Sequence, residues 1–208
     1  MEQKVDVKNF ILASNSQRRR EMLRERGYNF QVIASDVETD IVGKKYDRKL
    51  LVDCAKNKAL NVAENVYGHD IIVSADTIVV YDDTIIGKPK DEDDAFSILK
   101  KLSGNTHFVE TCVFILKLNY DNENFEKKRM LNNYLYDIDR TYVTFRKLTN
   151  DKIVDYINKY KPLDKAGAYG IQDNNFDFIE KIDGDRDNVI GFPMDLFERL
   201  LREIIWFI

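Results

Sequence analysis

Three arginines open a helix in this chain, where the electrostatics run against them. The stretch Ile11 to Leu23, ILASNSQRRREML, passes from an apolar strand through a small polar turn into a helix led by Arg18, Arg19 and Arg20. Aligned peptide dipoles make a helix N-terminus partly positive, so each misplaced cation costs roughly 0.3–1 kcal/mol. A bound polyanion offsets that cost. Helix N-termini already point N–H donors at phosphate, and Ser14, Asn15 and Ser16 add polar side chains beside them. The bland alternative is a solvated basic helix face. The strand-turn-helix setting favours a phosphate-binding corner.

Three more clusters carry candidate chemistry. In Ser74 to Lys90, SADTIVVYDDTIIGKPK, Asp76 and Thr77 interrupt an otherwise apolar strand. An ionised carboxylate there is costly unless it meets a metal, a lysine or a water that it activates. Lys88, between Gly87 and Pro89, sits in a stiff loop that fixes its ammonium. The competing reading is a strand that ends at Ser74 and a surface lysine. An acidic loop holds Asp36, Glu38 and Asp40, and Lys56 and Lys58 follow it. Magnesium prefers one or two carboxylates plus substrate phosphate oxygens, so an acid from this loop can join Asp76 around one ion. By itself the loop is an ordinary solvated one. In Asp164 to Gln172, DKAGAYGIQ, the glycines permit positive φ and close backbone approach, and Gln172 offers a donor and an acceptor to a base edge. Alone, this segment is an ordinary tight loop.

Two patterns are decoys. Asp183, Asp185 and Asp187 alternate like a calcium loop, but Asn188 stands where glycine is needed and Met194 where glutamate is needed. Gly87 and Lys88 do not end a phosphate-binding GxxxxGK loop, because Asp82 replaces its first glycine.

The elements that must position these residues follow from periodicity. Lys8 to Ser14 reads as a buried strand, Gln17 to Arg26 as a helix closed by Gly27, and Phe30 to Ala34 as a short strand. Apolar residues at three- and four-residue intervals predict a helix from Arg48 to Val66. A β-branched run, Asp70 to Tyr81, turns at Asp82 and Asp83 into a return strand near Ile85. Asp91 to Leu102 is a helix with acids in its first turn and lysines in its last, the order that the arginine-led helix breaks. Strands are expected at Thr106 to Leu118, Asp139 to Lys147 and Phe176 to Ile182, with a turn at Asp183 to Asp187. Helices are expected at Asn150 to Tyr160 and from Pro193 onward. The polar stretch of about residues 119–133 has no apolar period and reads as an exposed insertion. Strands alternating with helices and then clustering predict an α/β fold with a mixed sheet.

The composition sets the boundaries. With 208 residues, 44% of them hydrophobic and 33% charged, the chain suits one domain with a substantial core. A net charge of −4 gives no bulk attraction to nucleic acid or anionic membrane. Cys54 and Cys112 are far apart in apolar contexts, which fits reduced thiols, and with His69 and His107 isolated no zinc cluster can be built from His and Cys alone. No apolar run reaches the roughly 18–20 residues needed to span a bilayer, and the first ten residues lack a signal-peptide core, so a cytoplasmic location is expected.

Together these segments resemble the Maf family of nucleoside triphosphate pyrophosphatases. The likeness is carried by LASNSQRRREML, CAKNKA, SADTIVVYDDTIIGKPKDEDDA, LSGNTHFVET, VTFRKL, PLDKAGAYGIQ and GDRDNVIGFP, in that order along nearly the whole chain. It implies one Maf-like domain over residues 1–208, an elongated two-lobed fold like that of the inosine triphosphate pyrophosphatases, and an active site in the cleft between lobes. It also implies hydrolysis of a nucleoside triphosphate to the monophosphate and pyrophosphate with Mg²⁺, Mn²⁺ or Co²⁺, and a homodimer. Carried over by position, Ser14, Arg18 and Arg19 hold triphosphate oxygens, Lys58 and Lys88 neutralise developing charge, and Asp76 is the proton acceptor and, with Glu38, a metal ligand. Arg18, Thr77 and Gln172 match specificity positions, and the DKAGAYGIQ form is similar to the branch acting on dTTP and UTP. Gln17 replaces a usual proline, Thr39 follows Glu38 where a second acid is common, and Cys112 replaces a usual glycine.

This inventory suits nucleotidyl transfer, which needs cations, a metal and a base but no covalent nucleophile. Asp76 beside a lysine stays ionised, so its role as base runs through a metal-activated water. A nucleotide-binding regulator of cell division with little turnover is the alternative, prompted by the missing second acid. A nucleic-acid binder fits poorly with the net charge. Successive helical residues point about 100° apart, so the three arginines cannot share one face. Resemblance and geometry together select Arg18 and Arg19 and leave Arg20 at the surface.

Overall fold

A computed structural model describes residues 9–37, 40–66, 71–118, 133–173 and 177–206. Glu38, His69 and residues 119–132 of the expected insertion lie outside these. The described residues form a mixed α/β fold around one seven-stranded sheet. The elements in chain order are β1 (Phe10–Leu12), α1 (Gln17–Glu25), β2 (Phe30–Val32), α2 (Arg48–Glu64), β3 (Ile71–Tyr81), β4 (Thr84–Ile86) and α3 (Glu92–Leu102). They continue with β5 (Thr106–Lys117), β6 (Tyr134–Phe145), α4 (Asn150–Tyr160), β7 (Ile179–Asp183), α5 (Arg186–Ile190) and α6 (Met194–Trp206).

The sheet order is β2-β1-β3-β5-β6-β7, with β4 paired to β3. The strands β2, β1 and β3 are parallel, joined through helices, and the pairs from β3 through β5 and β6 to β7 are antiparallel. The hairpin between β3 and β4 turns on Asp82 and Asp83, both at positive φ, the backbone that a tight two-residue turn demands.

Side chains alternate across the sheet and divide the core. On one face Ile72, Ile78 and Val80 of β3 and Cys112, Phe114 and Leu116 of β5 meet Leu51, Cys54, Ala55, Ala59, Val62 and Ala63 of α2. On the other face Val73, Ala75, Val113 and Ile115 meet Met22 and Leu23 of α1 and the apolar stripe of α6. Farther along that second face, Val79, Val109, Val143 and Phe145 pack with α3 and α4. Two separate cores at two ends of one sheet face are the counterpart of the expected lobes. Between them runs α5.

Several boundaries differ from expectation. β1 is confined to Phe10–Leu12, because after Ala13, whose N–H still bonds Val73 O, the chain leaves the sheet to make the α1 corner. β6 starts at Tyr134, earlier than the expected Asp139, held in register by pairing with β5 from Leu116. Its early aromatics, Tyr134 and Tyr136, stack on Phe114 and need no buried face to stay in place. The expected turn at Asp183 to Asp187 is confined to Gly184 and Asp185, and α5 begins at Arg186, capped by the Asp185 side chain and ended by Gly191 in a left-handed conformation. Among the described residues no helix is long and apolar enough to cross a membrane.

Candidate active site

The site gathers where β3 loses its neighbours. β1 pairs with β3 only as far as Val73, where Ala13 N donates to Val73 O, and β4 pairs from Val79 onward. Between these points no strand covers that edge of β3 among the described residues. The open stretch contains Asp76 and Thr77, and strand alternation sends them to opposite faces of the sheet. Asp76 turns toward α2, where Lys58 Nζ lies 2.8 Å from its Oδ1, with side chains 24% and 21% exposed respectively. Thr77 turns toward α1 and accepts a 3.0 Å hydrogen bond from Arg19. The strand therefore continues through Asp76, and the reading in which it ends at Ser74 is excluded.

The α1 corner is held by its own serines. Ser16 caps the helix by accepting from Arg19 N, and Ser14 accepts from Ser16 N at 3.2 Å and from the Arg19 guanidinium at 3.1 Å. No acid stands in the first turn. The three arginines diverge as the helical rotation requires. Arg19 is buried and donates to Gly191 O at 2.9 Å, Ala75 O at 2.9 Å, Ser14 Oγ and Thr77 Oγ1. Four of its five N–H groups are thus used on protein acceptors. Burial pushes its guanidinium down to about 10, against the opposing pull of the Asp76 carboxylate, while Arg18 lowers it further. Arg18 instead reaches across to Asp164, and Arg20 stays near the surface with a long contact to Asn15 O.

Thr77 is fixed by a polar chain. Its hydroxyl lies 2.9 Å from Thr111 Oγ1, Thr111 donates to Asn188 O, and Asn188 Nδ2 donates to Thr141 Oγ1, which donates to Asp185 O. The five-residue α5 thereby ties Arg19 and Thr77 to β5 and β6. Asn188 and Thr111 lie in the segments GDRDNVIGFP and LSGNTHFVET that carry the family likeness, but neither has a role legible in the sequence, because their partners are distant in the chain. Asn188 Oδ1 is buried without a partner among the described residues.

The loop carrying Lys88 follows β4. It is pinned by Gly167 N, which donates to Gly87 O at 2.9 Å, and Gly167 takes a positive φ of 72° with little space beside Val79. Lys88 itself is exposed. Gln172 is exposed in the turn after Gly170, and among the described residues no bond links it to Thr77 or the arginines. Glu38 lies outside the described residues. The structure thus joins Ser14, Arg19 and Thr77 in one network and Lys58 with Asp76 in a second, and brings Arg18 to Asp164. Asp164 and Lys165 open the DKAGAYGIQ loop, but neither has a role of its own legible in the sequence.

Among the described residues no three His, Cys, Asp or Glu side chains form a group that could hold a metal. The carboxylate at the site, among the described residues, is Asp76, beside cations that suit phosphate. That fits a hard divalent ion completed by substrate oxygens better than a protein-only cage.

The sequence also matches known proteins over most of its length. A protein called dTTP/UTP pyrophosphatase from Caldanaerobacter subterraneus subsp. tengcongensis is 42% identical over 194 residues, covering 93% of this chain and 88% of that one. One of the same name from Geobacillus sp. is 40% identical over 200 residues, covering 96% and 100%. The Staphylococcus aureus Ham1 structure superposes with a TM-score of 0.49 at 11% identity, covering 94% of this chain and 99% of that chain. The family model for Maf-like proteins matches residues 9–204, and the chain belongs to that family.

Proposed function

We propose that this protein is a nucleoside triphosphate pyrophosphatase that hydrolyses dTTP or UTP to the monophosphate and pyrophosphate. The observation that carries the reading is the Lys58–Asp76 pair at the open edge of β3, beside an arginine-led helix start. The base preference rests on the two relatives named above as dTTP/UTP pyrophosphatases.

Each residue has a physical task. The N-terminus of α1 and Arg18 hold triphosphate oxygens, while Arg19 fixes the corner's shape through its bonds to Gly191, Ala75, Ser14 and Thr77 and offers its remaining N–H. Water attacks the α-phosphorus, the bond to the bridging oxygen breaks, and pyrophosphate leaves with that oxygen. Asp76 accepts the proton of the attacking water. Lys58 keeps the Asp76 carboxylate in place and, with Lys88, offsets charge building on the phosphoryl oxygens. Thr77 and Gln172, with Arg18, discriminate between bases. A divalent metal, Mg²⁺ in this reading, would be held by Asp76 and Glu38 together with phosphate oxygens and would supply Lewis-acid stabilisation of the phosphate charge.

The test measures pyrophosphate and monophosphate release from a panel of triphosphates with Mg²⁺, wild type against Asp76→Asn. Release of both products by wild type alone supports the enzyme. Triphosphate binding without release at any metal would favour the regulatory alternative.

A further inference from the structure

Asp164 carries two cations at once. Its Oδ2 lies 3.0 Å from Arg18 of α1, and its Oδ1 lies 3.1 Å from Lys165 Nζ. Arg18 is 146 residues away in the chain, so the pair bridges the α1 corner to the loop that follows α4. Lys165 is held in place for this contact. Its side chain is only 16% exposed, and its stem lies against Gly170, where an added Cβ would come within 2.9 Å of Lys165 Cε.

The two arginines implied to hold phosphate are in different states. Arg19 is buried and committed to protein acceptors, whereas the partly exposed Arg18 is bonded to a carboxylate that is itself 64% exposed. An exposed carboxylate pair of this kind is weak and easily released, because the freed carboxylate regains water. A phosphate brings more charge and a geometry that matches the guanidinium fork. A phosphate arriving at Arg18 competes with Asp164 for the same guanidinium, and the more highly charged anion displaces the carboxylate, which holds Arg18 by a single contact.

We propose that Asp164 is an internal counter-anion, which Arg18 and Lys165 exchange for a phosphate of the substrate, so that Lys165 joins Arg18 in binding phosphate. The inference rests on the reading of the α1 corner as a phosphate site. Partial burial raises the Asp164 carboxyl, but Lys165 and Arg18 outweigh it and hold the group below its ordinary value. The carboxylate thus stays charged at neutral pH, and release is an exchange of anions instead of a protonation. The arrangement keeps adventitious monoanions off Arg18 while yielding to a polyphosphate.

The test is calorimetric titration of inorganic pyrophosphate into the full chain at low, fixed ionic strength. Asp164→Asn should bind pyrophosphate roughly three- to tenfold more tightly than wild type, as expected when a weak competing pair is removed. Asp164→Glu, which keeps the charge, should stay within about twofold of wild type, and Lys165→Met should bind several-fold more weakly. Unchanged or weaker binding by Asp164→Asn, or unchanged binding by Lys165→Met, overturns the exchange while leaving the phosphate site intact. Absence of pyrophosphate binding by wild type overturns the phosphate-site reading itself and the exchange with it.

Discussion

Lys58 Nζ of α2 and Asp76 Oδ1 of β3 lie 2.8 Å apart at the one stretch of β3 that no strand covers on that side among the described residues. The pair joins a helix to the sheet and leaves both side chains partly in contact with solvent. Lys58→Gln and Asp76→Asn should each lower kcat by about 10²-fold or more, as expected for a lost charge-stabilising group or base. The double variant should lose little more than either single one, because the two residues act as a unit. Steady-state kinetics on the three variants, with melting temperatures as a folding control, measure this.

Arg19 and Arg20 are neighbours with unequal roles. Removing the Arg19 side chain leaves the carbonyls of Gly191 and Ala75 without this donor in a buried place, which costs about 2–4 kcal/mol. Arg19→Ala should therefore unfold at lower denaturant and lose turnover. Arg19→Lys should recover little, since an ammonium cannot span acceptors arranged around a planar fork. Arg20→Ala should stay within about 0.5 kcal/mol of wild type, with turnover near normal. Equal losses at both positions would return the stretch to a generic basic patch.

His107 is buried on β5, with Nε2 2.8 Å from the Tyr169 hydroxyl and Nδ1 unpartnered among the described residues. Burial lowers its pKa from 6.5 to about 4. Between those values the unfolded chain binds a proton that the folded chain does not, so stability falls as pH drops through the window, by up to about 3 kcal/mol. Below the folded value this contribution changes no further. Chemical unfolding at a series of pH values should show the slope in wild type and lose it in His107→Gln, which keeps a hydrogen-bonding partner for Tyr169.

Glu110 is fully buried, and its carboxylate accepts from Arg48, Arg140 and Tyr46, each at 2.8 Å. Arg140 also lies 4.0 Å over the Phe108 ring. Arg140→Ala should cost about 2–3 kcal/mol, because it removes both the ring contact and a bond to a buried charge. Arg48, more exposed, should cost less. The midpoint of urea unfolding for the two variants gives the comparison.

Most of the fold was legible because it rests on local patterns. The end signals of α3 were written in its first and last turns, and the β-branched residues on both sides of Ser74–Thr77 carried Asp76 into the sheet. The angular spread of the arginines also followed from the helical repeat. Which arginine would be buried did not, since the acceptors of Arg19 come from Ala75, Thr77 and Gly191, far along the chain. The short helix α5 was hidden because its capping Asp185 sits in an alternating acidic run that reads as a turn. Glu110 gave no signal either, as its arginine partners are scattered over two other elements. Distant polar pairing has no sequence period, and it accounts for most of what the sequence concealed at the site.

The base at Asp76 is the centre of the proposed reaction. Purified wild-type protein with Mg²⁺ should convert UTP or dTTP to the monophosphate and one equivalent of pyrophosphate, and Asp76→Asn, folded to the same extent, should do so about 10²-fold or more slowly. Equal release by the two proteins, or phosphate in place of pyrophosphate as the product, would contradict it.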